Sequence, residues 1–377
     1  MQLGRHISAR IGKTTGQRAG RWRTALVTLI AATSAVGLLI AAPGTAGAVT
    51  LADLDRTIKA GMAQPVADDV LLSGDSSWRV PTGQGPVFDN FLQAFAYSAT
   101  RPDVAPRGAN DWSCKPKPGM QPVVLVHGTW ENAFSNWSYL SDKLKRVGTC
   151  VYALNYGILD ITRGGGVGAA LIPGAYATGD IAQSAEQLAR FVDRVRAATG
   201  SSKVNMVGHS QGGLTARQYL KFEGGADKVD QLVTLGATNH GTSLLGIGTL
   251  GRTINNLGID VLGPIALGVG VSGIQQVYDS EFVTKLNAGG DTVPGVTYTV
   301  VATRYDEVTT PYPSTFLRGP KVRNITLQNG CPADVSDHLA LSYSPRAASI
   351  VLNAFGARTP DGKPVPVVCA PNAWLFG

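Results

Sequence analysis

Between residues 121 and 355, short apolar runs alternate with longer segments whose apolar residues recur every three to four positions. The runs lie within 121–130 and 203–209 and at Cys150–Tyr156, Val229–Leu235, Val296–Ala302 and Val322–Leu327. Several are nearly continuous Val, Leu and Ile, as strands covered on both faces require. The clearest helix spans Asp180 to Thr199. Ile181, Ala185, Leu188, Phe191, Val192 and Val195 share one face, Asp180 supplies an N-cap and Gly200 a stop. Further helices are expected after Trp130 to Val147, from Leu214 to Phe222 and from Pro345 to Phe355. Strand and helix alternate in this way when a mostly parallel central sheet is flanked by helices, so the chain is read as an α/β protein.

Three stretches depart from the alternation. Residues 49–110 hold a short helix-like segment, Leu51 to Met62, and a Pro-, Gly- and aromatic-rich stretch, Pro81 to Pro106, read together as an N-terminal arm on the main α/β domain at 111–377. Gly157 to Gly179 is Gly- and Ala-rich with Ile158, Leu159, Leu171 and Ile172, a composition that suits an apolar pocket wall or a loop equally. From 241 to 278 only Arg252 and Asp260 are charged, and Gly and Pro264 break the run too often for a membrane span. That segment is expected to be an apolar cap or lid insert.

Chemistry enters at Gly208-His209-Ser210-Gln211-Gly212, placed between an apolar strand and a helical run. This is the pattern of a serine carried on a tight strand-to-helix turn. The backbone at such a turn is strained, and side chains at Gly208 and Gly212 would collide with their surroundings. The N–H of Gln211, at a helix N-terminus, would face a developing oxyanion. The strand within 121–130 ends in His127-Gly128-Thr129, and the loop after it is where a second donor, the Thr129 N–H, is expected.

A serine of this kind needs a histidine and an acid, in the chain order Ser, acid, His. Asp306 follows the strand Val296–Ala302, at the carboxyl end of the sheet. Glu307 is the neighbouring acid, but its side chain is expected to leave the opposite side of the chain. Of five histidines, His6 lies in the leader, His127 sits beside the oxyanion loop, His209 lies inside the turn and His240 precedes the acid. His338 remains. The triad expected from the residues is therefore Ser210, Asp306 and His338, with no metal and no organic cofactor.

Charge and cysteines refine this picture. The first 48 residues carry Arg5, Arg10, Lys13, Arg18, Arg21 and Arg23 with no acid, then an apolar run from Ala25 to Ala42 and the small-residue site Ala46-Gly47-Ala48. They read as a secretory signal peptide, residues 1–48. Without it, 27 cations face 26 acids, so six of the seven formal positive charges belong to the leader and the chain is not expected to bind nucleic acid or to keep a stable membrane span. In an oxidising compartment Cys114, Cys150, Cys331 and Cys369 form two disulfides, in any of three connectivities.

Four spaced motifs carry a family resemblance: Val-Leu-Val-His-Gly-Thr at 124–129, Gly-His-Ser-Gln-Gly-Gly at 208–213, Thr-Arg-Tyr-Asp-Glu-Val at 303–308 and Asp-His-Leu-Ala-Leu at 337–341. They resemble the secreted class 2 lipases of actinobacteria. More distantly, they resemble the fungal lipase B type of α/β-hydrolase, with its Thr and Gln oxyanion donors and Asp-Glu acid motif. The similarity runs from about Trp112 to Cys369 and departs from the family at the Gly-rich insert 241–278. It implies an α/β-hydrolase fold, Ser210, Asp306 and His338 as triad, and sequential pairs Cys114–Cys150 and Cys331–Cys369. It also implies triacylglycerol or another carboxylic ester as substrate, whereas the departure at 241–278 leaves action at an oil–water interface open. The same triad would serve an acyltransferase or a polyester hydrolase, and a catalytically silent surface-binding protein could keep the fold.

Overall fold

The computed structural model describes residues 77–159, 172–243 and 270–375, with short pieces at 52–53, 56–57, 59–60 and 246–247. The leader at 1–48, most of 49–76, residues 160–171 and most of the apolar insert lie outside the described residues. Six strands form one sheet: β1 (Val123–Val126), β2 (Val151–Ala153), β3 (Val204–His209), β4 (Val229–Leu235), β5 (Thr297–Ala302) and β6 (Val322–Thr326). Their order is β2-β1-β3-β4-β5-β6, and all five pairings are parallel.

Alternate side chains of β1 explain how the sheet is covered. Val124 and Val126 enter one apolar core with Leu188, Phe191, Val192 and Val195, whereas Val123 and Leu125 enter another with Trp137, Leu140 and Leu144. Among the described residues the helices of six residues or more are α1 (Phe91–Thr100), α2 (Ala133–Arg146), α3 (Ile181–Thr199), α4 (Gln211–Phe222), α5 (Gly270–Gln275), α6 (Glu281–Asn287) and α7 (Pro345–Ala354). Helices α3 and α4 pack on the first face and α2 and α7 on the second, so both faces of the central strands are covered, whereas edge strand β6 keeps Arg323 and Asn324 exposed. Asp180 caps α3 by accepting the Gln183 N–H, and Gly200 ends it in a left-handed conformation. Asn132 and Ser135 form a reciprocal cap on α2.

Two features position the site. Strand order reverses between β1 and β3, so the loops leaving their carboxyl ends diverge and open a crevice there. A third apolar cluster is lined by Phe91, Phe95, Trp130, Phe134, Leu339 and Tyr343, among others, joining the loops after β1 and before α7 to α1. The stretch read from sequence only as an arm thus contains a ten-residue helix, capped by Asn90 and packed beside the loops after β1 and before α7.

Both sequential disulfides are present. Cys114–Cys150 ties the segment before β1 to the start of β2, and Cys331–Cys369 ties the loop after β6 to the C-terminal segment. Among the described residues no helix is long and apolar enough to cross a membrane.

Candidate active site

The serine sits where β3 meets α4. Ser210 has φ +53° and ψ −127°, outside the regions an L residue ordinarily occupies, a conformation costing about 1–3 kcal/mol. Its neighbours permit the turn. A methyl group on Gly212 would stand 2.1 Å from the Val126 carbonyl oxygen, and one on Gly208 would stand 2.7 Å from the backbone of Gly212. Both glycines are therefore required by close backbone approach. The helix that follows starts at Gln211, so its first N–H groups have no partner within the helix.

Asp306 lies four residues past β5, and its side chain is fixed by accepting the N–H groups of Val308 and Thr309 at 3.0 and 2.7 Å. The same carboxylate meets His338 Nδ1 at 2.9 Å through Oδ1 and 3.0 Å through Oδ2. His338 is 1% exposed, and its Nε2 has no hydrogen-bond partner among the described residues. Burial alone would weaken proton binding at this ring. Asp306, then Glu307 and Glu131, outweigh it and push the pKa up to about 9.

Glu307 does not turn away as expected from sequence. Its Oε2 accepts the backbone N–H of His338 at 3.2 Å. Burial, followed by the charge of Asp337, raises its pKa to about 7. Burial also raises the pKa of Asp337, whose carboxylate accepts the N–H groups of Ala340 and Leu375 and so pins the C-terminal segment to the His338 loop.

The Thr129 hydroxyl donates to Gln211 Oε1 at 2.6 Å. Gln276, one residue past α5, donates through Nε2 to Thr129 Oγ1 at 3.0 Å and to Gln211 Oε1 at 3.1 Å, while its own Oε1 accepts from Thr238. The apolar insert thus returns a polar side chain between the two residues expected to bind an oxyanion. Sequence reading missed Gln276 because it belongs to no motif, although it is one of few long polar residues near the end of that insert.

The other histidines have separate surroundings. His127 is buried against Tyr156, and burial lowers its pKa to about 4. His240 lies between Ser314 O and Asp291, and His209 lies between Glu131 and the carbonyl of His338. Among the described residues no group of three or more His, Cys, Asp or Glu side chains is arranged to hold a metal ion.

A parallel sheet with reversed order at β1 and β3, helices on both faces and a serine on a strained strand-to-helix turn defines the α/β-hydrolase fold. Residues 120–340 match the family described as Lipase (class 2), and the chain belongs to that family. Two triacylglycerol lipases, from Pseudarthrobacter phenanthrenivorans and Burkholderia plantarii, are each 31% identical over 126 residues. The match covers 32% of this chain and 34% and 30% of those proteins, so it spans about a third of their length. The crystal structure of Aspergillus fumigatus lipase B is similar over 90% of this chain and 86% of that one, with a TM-score of 0.51 and 18% identity, a likeness of fold.

Proposed function

We propose that this protein is a secreted serine hydrolase that cleaves carboxylic esters, triacylglycerols foremost, through Ser210, His338 and Asp306. The observation that carries this reading is the buried His338–Asp306 contact at 2.9 and 3.0 Å, on loops that follow β5 and β6, together with a serine held in a strained turn at the end of β3 in the same parallel sheet. His338 Nε2, left free by the Asp306 contact at Nδ1, takes the proton from the Ser210 hydroxyl as its oxygen attacks the ester carbonyl. The tetrahedral oxyanion accepts hydrogen bonds from the N–H groups of Thr129 and Gln211. Collapse breaks the bond to the leaving alcohol, which takes the proton from His338. Water, deprotonated by the same ring, then releases the acid and restores Ser210.

Family membership supports this chemistry, as do the two triacylglycerol lipases that share 31% identity over 126 residues. Secretion rests on the leader read at 1–48 and agrees with two disulfides. The decisive assay is hydrolysis of p-nitrophenyl esters of graded acyl length, below and above the concentration at which the substrate forms an emulsion. Ser210→Ala is expected to lose activity by several orders of magnitude; an active Ser210→Ala variant rejects the assignment.

A further inference from the structure

We propose that Glu131 and His209 form a buried clamp that sets the oxyanion loop, the serine turn and the His338 loop in mutual register. This rests on Ser210 and His338 acting as the catalytic pair, and it assigns Glu131 and His209 as positioning residues for them.

Glu131 is 2% exposed and His209 is fully buried, which is costly for two ionisable side chains unless their bonds organise something. One oxygen of Glu131, Oε2, accepts the N–H of Gly128 at 2.8 Å and lies 2.9 Å from His209 Nδ1. Gly128 immediately precedes Thr129, and His209 immediately precedes Ser210. A single carboxylate oxygen therefore fixes the distance between the loop after β1 and the turn after β3. Contact there is already tight: a methyl group on Gly128 would stand 2.4 Å from Glu131 Oε2 and 3.1 Å from Ser210 Cβ.

The other end of the ring reaches the third element. His209 Nε2 lies 3.0 Å from the carbonyl oxygen of His338. A carbonyl can only accept, so Nε2 carries a proton and donates to it. The two imidazoles sit with ring centroids 5.0 Å apart. Asn136, from α2, braces the junction, with Oδ1 3.2 Å from the Gly128 N and Nδ2 3.1 Å from His209 Nδ1. Three loops from distant parts of the chain thus meet on one pair of side chains, and among the described residues neither side chain hydrogen-bonds to His338 Nε2. A displacement of about 1 Å between such elements is enough to slow a reaction about 100-fold.

Glutamine and leucine at position 131 separate the possibilities. Glu131 Oε1 has no partner among the described residues, so an amide nitrogen can occupy its place while the remaining oxygen still accepts from Gly128. Leucine fills a similar volume without any hydrogen bond. With kcat counted per fluorophosphonate-reactive serine, Glu131→Leu is expected to lose about 100-fold in kcat, with KM changed less than about threefold. Glu131→Gln is expected to recover kcat to within about tenfold of the parent. His209→Gln combined with Glu131→Leu should be little worse than Glu131→Leu alone. A Glu131→Leu variant with the parent's kcat, or a Glu131→Gln variant as slow as Glu131→Leu, overturns the clamp.

Should Glu131→Leu fail to fold, the unsubstituted protein supplies the test. A slowly exchanging imidazole N–H that persists in Ser210→Ala and vanishes in His209→Gln is expected, and its absence overturns the proposal. An active Ser210→Ala variant sinks the catalytic reading itself. An inactive one beside an unimpaired Glu131→Leu removes the clamp alone.

Discussion

Replacing Asp306 by asparagine removes the charge facing His338 while keeping the side chain's shape. The surroundings raise the His338 pKa to about 9, with Asp306 the largest favourable contributor against burial. An ordinary histidine titrates near ~6.5, so the difference amounts to about 3 kcal/mol in favour of the imidazolium. Ester cleavage passes through that imidazolium, and losing most of this stabilisation slows the step by about 100-fold. A second effect multiplies the first. The asparagine side chain can turn its NH2 toward Nδ1, which drives the ring proton to Nε2, where it blocks proton transfer from Ser210. Loss of the acid in a triad of this type costs about 10⁴-fold in kcat, and a fall of about 10³- to 10⁴-fold is expected here.

The assay is kcat/KM for p-nitrophenyl butyrate from about pH 6 to about pH 10, corrected for spontaneous hydrolysis. The base works when neutral, so the parent's activity should rise with pH through a midpoint near 9. In Asp306→Asn the residual activity should rise through a midpoint displaced to lower pH. A loss of less than about tenfold, or an undisplaced midpoint, refutes the pairing of Asp306 with His338.

Glu307→Gln keeps an acceptor for the His338 N–H and removes a carboxylate whose pKa is raised to about 7. A raised acid binds more protons in the folded state, so its contribution to stability is present below about pH 4.3 and lost as pH rises through about 7. Denaturant midpoints at about pH 5 and about pH 8 should differ less in the variant than in the parent, with kcat at alkaline pH reduced less than about tenfold. Gln276→Leu cuts the bonds to Thr129 and Gln211 and should lower kcat by about 10- to 100-fold with little change in KM. Equal losses in kcat/KM through KM alone would show that Gln276 serves binding. Removing Cys331–Cys369 with a double serine variant opens a loop closed across 38 residues and should cost about 4 kcal/mol, read without reductant, where Cys114–Cys150 stays intact, as a lower unfolding midpoint than the parent's.

The central strands were legible because apolar side chains dominate them, Val123–Val126 being continuous Val and Leu, whereas edge strand β6 carries Arg323 and Asn324 among its five residues. The strand–serine–helix turn was legible because close backbone approach forces glycine at 208 and 212, a constraint that survives as a local pattern. Helix α1 was not, since the prolines and glycines flanking it at 81–106 obscure ten residues whose helical character depends on the Asn90 cap and burial beside Phe134 and Tyr343. Glu307 was misread because alternation along an extended chain was assumed where the backbone turns after β5, at Thr303–Asp306. The links from Gln276 to Thr129, and from Glu131 to His209, join residues 147 and 78 positions apart, and nothing in their local sequence announces them. Local chemistry writes motifs, whereas partners supplied by tertiary packing leave no spacing to read.

Fluorophosphonate labelling followed by peptide mapping tests the catalytic assignment most directly. One adduct per chain is expected, on Ser210, lost in Ser210→Ala and formed far more slowly in His338→Ala. Stoichiometric labelling of another residue, or of the Ser210→Ala variant, contradicts it.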